Sequence, residues 1–143
     1  MKNYNPLAII LILIALTISK SNGQGKLSID SFTTFSPEIN GCSCYFSNDS
    51  TEFKNKKYIY ANDFAQTSFL KINGVMTKFK QTDFQSDNGK TLAKYKSDGY
   101  EMTIEVKYRK QNGDETWLRT GTIKLIDKNG NTLTKKFYGE CSC

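Results

Sequence analysis

Four cysteines carry the most distinctive chemistry in this sequence, and they stand in two matched stretches, residues 39–46 (INGCSCYF) and 138–143 (YGECSC). Each stretch spells Cys-Ser-Cys, with a glycine one or two positions ahead. Sulfur in such a pattern can be bridged, can hold a soft metal, or can exchange disulfides. A bridge within one Cys-Ser-Cys is disfavoured in an extended segment, where Cα atoms two residues apart lie roughly 7 Å from each other, at the outer limit for a disulfide. Bridges between the two stretches fit better. If the first lies antiparallel beside the second, one register sets Cys42 opposite Cys143 and Cys44 opposite Cys141, at about 4.5–5.5 Å between Cα atoms. The expectation is therefore a pair of cross-strand disulfides that ties the last residue into a sheet.

The alternative for the same residues, Cys42, Cys44, Cys141 and Cys143, is a tetrathiolate site for zinc or copper(I). It requires Gly41 and Gly139 to bend both segments out of extended form, because sulfurs spaced along two flat strands cannot all reach one ion at about 2.3 Å. Thiol–disulfide exchange is a further alternative, although no histidine is available to lower a thiol pKa.

The chain has no histidine at all, which removes Ser-His-Asp and Cys-His nucleophile systems and histidine-ligated zinc hydrolases. No phosphate-cradling glycine loop is present. Two carboxylates can hydrolyse a glycoside, but Glu101 and Glu105 fall on the outward side of a strand and the sequence nominates no catalytic pair. No catalytic residue and no cofactor are assigned, and the reading leans away from an enzyme.

Those residues must be positioned by the rest of the chain. Residues 1–23 read as a signal peptide, with Lys2 before an apolar run over residues 7–18 and small residues at Ser21-Asn22-Gly23. A run of twelve residues rises only about 18 Å as a helix, too short for a permanent membrane span. Residues 24–143 then form one domain, exported to the periplasm or the extracellular space, where disulfides persist. Loss of Lys2 and Lys20 leaves 18 basic against 14 acidic residues. The clusters Lys54, Lys56, Lys57 and Lys107, Arg109, Lys110 are interspersed with acids and read as solvated strand faces, so nucleic acid is not an expected partner.

Period-two alternation over residues 100–109 (YEMTIEVKYR) sets Tyr100, Met102, Ile104, Val106 and Tyr108 on one face, the mark of a half-buried strand. Asn73-Gly74, Asp98-Gly99, Asn112-Gly113 and Asn129-Gly130 separate such segments as hairpin turns. Further strands are expected over residues 27–35, 42–47 and 58–61, a short helical turn over 50–57, and a polar loop over 81–90. The fold class is all-β: a small antiparallel meander barrel of about eight strands, which removes exposed edges, with a two-sheet β-sandwich as the alternative.

A two-residue turn at Asn112-Gly113 would set Tyr108 opposite Trp117, Ile104 opposite Gly121 and Met102 opposite Ile123, all facing inward. The same register puts Arg119 inward, opposite Val106. The expectation is a bulge that turns Arg119 outward. The alternative is a polar feature in a barrel mouth, where Arg119 binds a carboxylate or another anion. Arg119, Tyr58, Tyr60 and Trp117 are the candidate ligand-binding residues, the tyrosines belonging to an aromatic-rich stretch, YIYANDFAQTSF, that otherwise reads as core. Asn48-Asp49-Ser50 spells a glycosylation acceptor.

In size and strand-rich plan the chain is similar to small exported barrels that inhibit lysozyme, a likeness of architecture that transfers no residue. The reading is an exported, disulfide-stabilised, non-enzymatic barrel of binding or inhibitor type. Its partner is a small molecule, a glycan or a protein.

Overall fold

The computed structural model describes residues 25–64 and 66–143; the signal-peptide reading falls outside them. Among the described residues nine strands form one antiparallel sheet: β1 (Ile29–Asp30), β2 (Ser43–Ser47), β3 (Tyr60–Asn62), β4 (Thr67–Ile72), β5 (Val75–Asp87), β6 (Lys90–Ser97), β7 (Tyr100–Gln111), β8 (Thr116–Asp127) and β9 (Thr132–Ser142). A short helix, α1 (Ser50–Lys54), follows β2. The strand order β1-β4-β3-β2-β9-β8-β7-β6-β5, with β4 also pairing β5, closes strands β2–β9 into an eight-stranded barrel and leaves β1 as an extra strand beside β4. The barrel expectation holds. Among the described residues no helix is long and apolar enough to cross a membrane.

Alternation builds the interior. Ile72, Phe79, Met102, Ile104, Ile123, Leu125 and Phe137 are buried inside the barrel, while the residues between them on β5, β7 and β8 are mostly exposed or half-buried. A stack of three rings crosses the β9-β2-β3 wall: Phe46 lies 4.1 Å from Phe137 and 5.0 Å from Tyr60 between centroids, nearly parallel to both. Two glycines allow the walls to approach. A Cβ on Gly139 would sit 2.0 Å from the Tyr45 carbonyl oxygen, and one on Gly121 would sit 1.8 Å from the Glu105 carbonyl oxygen. The interior is filled rather than hollow.

The outer face of β2 and β3 is covered as well. Residues 31–41 and α1 pack a second cluster there from Phe32, Tyr58 and Ala61 with Ile39, Tyr45 and Phe53. The helix is capped by Asp49, whose carboxylate accepts from the Thr51 and Glu52 amides at 2.8 Å.

Two local expectations are corrected. Residues 81–90 are not a loop: β5 runs on to Asp87 and turns through Asn88-Gly89, both with positive φ, into β6. This part of β5 extends beyond its pairing with β4, which ends at Lys80, so no face of it is buried enough to impose alternation. The β7–β8 connection is longer than two residues, with Gln111 opposite Trp117 and the Asn112 amide donating to the Thr116 carbonyl. Ile104 therefore faces Ile123 and Met102 faces Leu125, while Tyr108 faces Thr120 instead of Trp117.

Candidate binding site at the barrel mouth

The cysteines lie at one end of the barrel in the expected pairing. β2 runs antiparallel to β9 with Cys44 opposite Cys141, and disulfides join Cys42 to Cys143 and Cys44 to Cys141 across Cα separations of 4.1 and 4.0 Å. All four sulfurs are bridged, so both the tetrathiolate alternative and the exchange alternative require breaking these bonds first. Two intramolecular disulfides point to an oxidising environment outside the cytosol. The inner bridge belongs to the core; Cys143, in the outer one, is exposed.

Register places the rest of this end. The start of β4, the end of β3, the far ends of β5 and β7 and the starts of β6 and β8 all converge beside the bridges. Two irregularities decide which side chains face inward here. On β7 the inward series Met102, Ile104, Val106 would continue with Tyr108, but a bulge at Lys107 shifts the pairing. Tyr108 then turns to the outside, and Arg109 comes to the inner side directly opposite Arg119. On β5 the pairing slips between Gln81 and Asp83, with Thr82 Oγ1 donating to the Lys94 carbonyl. Phe84 thereby pairs with the inward Ala93 rather than pointing away from the mouth.

Arg119 is thus on the inner side, which corrects the expectation that a bulge turns it outward. The bulge exists, but it lies on the neighbouring strand and re-aims Arg109 instead. Arg119 Nε is buried without a hydrogen-bond partner, and the guanidinium lies 5.9 Å from the Phe64 ring. Burial, followed by the charge of Arg109, lowers the Arg119 pKa, while the Tyr60 and Tyr95 phenols oppose that shift. Arg109 lies 5.0 Å from the ring of Trp117, the one tryptophan of the chain.

Below the arginines is a polar floor. The Tyr60 hydroxyl donates to Tyr95 at 3.3 Å and accepts from Asn62 Nδ2 at 3.1 Å. Asn62 Oδ1 in turn accepts from the amides of Cys44 and Phe64, which ties the bridge strand and the β3–β4 connection to the same side chain. Burial pushes the Tyr60 phenol well above its ordinary pKa and Tyr95 in the same direction, so both stay protonated donors at neutral pH. Ser68 is fully buried beside Tyr60, and its Oγ makes no hydrogen bond of good geometry. Asp63 anchors the connection by accepting from the Thr67 amide at 3.0 Å. Phe64 carries a positive φ of 61°, an uncommon conformation for a bulky residue and one that concentrates at functional sites.

Of the four candidate ligand-binding residues, the mouth brings together Arg119, Trp117 and Tyr60. Tyr58 lies on the outer face in the second cluster, buried against Phe32 and Phe53. Arg109 and Phe84 are the residues that sequence reasoning missed. For Arg109 a signal was present: the chain holds 20 basic residues and only two are arginines, the two that meet here. Several lysines elsewhere on the barrel do have carboxylates at hand: Lys96 has Glu101 at 3.1 Å, Lys94 has Asp83 at 3.5 Å and Lys78 has Glu38. An open cleft of about 520 Å³, lined by Phe32, Lys57, Lys71 and Met76, lies toward the opposite end and includes none of these residues.

Compared with family profiles, curated proteins and solved structures, the chain has no significant match.

Proposed function

We propose that this is an exported binding protein, secreted or periplasmic, that uses the bridged end of its barrel to take up an anionic group of its ligand or partner between Arg109 and Arg119. The observation that carries the reading is the bulge at Lys107, which sets the chain's two arginines directly opposite each other, with Arg119 Nε buried and unpartnered. Like charges facing across a strand pair are destabilising, and a partly buried cation without a hydrogen-bonded counterion adds a desolvation cost. An arrangement that costs stability in the free protein is accounted for when the missing anion arrives with the ligand. Trp, Tyr and Arg are also the residue types that dominate binding hot spots.

The test is a stability measurement. Arg119→Met keeps the apolar stem and removes the charge, and we expect the variant to be more stable than the parent by about 1 kcal/mol in urea unfolding. Carboxylate salts should stabilise the parent beyond chloride at equal ionic strength, by about 1.4 kcal/mol at ten times the dissociation constant, and should lose that advantage in Arg119→Met. A destabilised variant, together with no preference for carboxylate over chloride, would make Arg119 a structural residue and end this reading.

A further inference from the structure

The aromatic residues at the mouth narrow the class of anion. Phe84 is 56% exposed and Phe64 41% exposed, and both border the end where the arginines meet. Phe84 is there because of the irregularity in β5: without the slip between Gln81 and Asp83, the inward position above Tyr95 would fall to a polar side chain of the QTDFQSD run. Its inward neighbour across the pair is Ala93, too small to cover a phenyl ring. Trp117 is half-buried on the same side, two residues before Arg119 along β8. The two rim irregularities thus act in the same sense, one presenting a cation and the other an apolar ring to the same opening. A surface meant for phosphate or sulfate alone has no use for exposed phenyl rings, and a purely apolar contact has no use for two arginines.

Resting on the reading above, we propose that the ligand is an amphipathic organic acid, with its carboxylate between Arg109 and Arg119 and its apolar body lying across the mouth against Phe84, Phe64 and Trp117. The body lies over the rim and does not enter the barrel, because the interior below is occupied by packed side chains. Guanidinium groups match a carboxylate in a planar, two-bonded geometry, and the aromatic rim supplies apolar area on either side of it.

Three probes at constant ionic strength separate the contributions, with Trp117 fluorescence and thermal midpoint as readouts: 4-phenylbutyrate, acetate, and the neutral 4-phenylbutyramide. The expected result is at least tenfold tighter binding of 4-phenylbutyrate than of either other probe. Phe84→Ala, an exposed position whose truncation leaves the core intact, should bring 4-phenylbutyrate close to the level of acetate, and Arg119→Met should abolish its binding. Equal binding of acetate and 4-phenylbutyrate would overturn this inference and leave the anion-binding reading standing. Equal binding of the acid and its amide would overturn the inference by reducing the mouth to an apolar patch. No response to either carboxylate would defeat both.

Discussion

Replacing all four cysteines with alanine is expected to cost about 5 kcal/mol or more, whereas removing the outer bridge alone should cost under about 1 kcal/mol. The reason is that the two bridges close nearly the same loop, with sequence separations of 101 for Cys42–Cys143 and 97 for Cys44–Cys141. In the chain-entropy account, closing a loop of order 100 residues is worth about 4.7 kcal/mol, and once one bridge exists the other adds only a small ring. Either bridge therefore preserves most of the constraint. The two are not equivalent in packing, because Cys44 and Cys141 are core residues and alanine at both positions leaves a small void costing about 1–2 kcal/mol. The expected ranking in urea unfolding is parent, outer-bridge variant, inner-bridge variant, then the quadruple variant far below. That last loss approaches the whole stability of many domains of this size. A strictly additive series, with half the quadruple cost in each pair, would contradict the shared-loop account.

Gly121→Ala is the other substitution with a large expected effect, a loss of roughly 3 kcal/mol from a single methyl group. The added Cβ would lie 1.8 Å from the Glu105 carbonyl oxygen and 2.9 Å from Phe137 Cζ. A backbone carbonyl inside a paired strand cannot swing aside as a flexible side chain would. Gly121 also faces Val106, the last inward residue before the bulge that re-aims Arg109, so relief of the clash would disturb the mouth as well as the core. Gly130→Ala is the natural control. That glycine has open space around it and a φ of +82°, so its substitution should cost only the conformational penalty of about 1 kcal/mol. Similar losses at the two positions would show that backbone freedom, and not close approach, explains Gly121.

What could be read from the sequence and what could not divide along a physical line. Alternation over β7, the Asn-Gly turns and the equal spacing of the two Cys-Ser-Cys stretches are local patterns, and they led to the barrel and to the pairing of all four cysteines. The bulges at Lys107 and at residue 82 are mismatches between partner strands, and neither strand's own sequence records them. That is why alternation alone places Tyr108 inside and leaves Arg109 among the solvated cations Lys107 and Lys110. The far part of β5 reads as a loop because a strand rising above the barrel rim has no core face to make it alternate. Tyr58 had the composition of a site residue, but the covering segment of residues 31–41, which holds it on the outer face, has no periodic signature of its own.

The proposed anion site depends most on Arg119 standing as an available cation in the free protein. Because Arg109 and Arg119 are the only arginines in the chain, their side-chain Nε–Hε groups give two assignable signals in a nitrogen–proton correlation spectrum. Titrating acetate at constant ionic strength should shift both signals along one saturable curve, and the Arg109 response should weaken sharply in Arg119→Met. An Arg119 signal that stays fixed throughout the titration would mean that its charge is already satisfied within the fold, and the proposed anion site would have no basis.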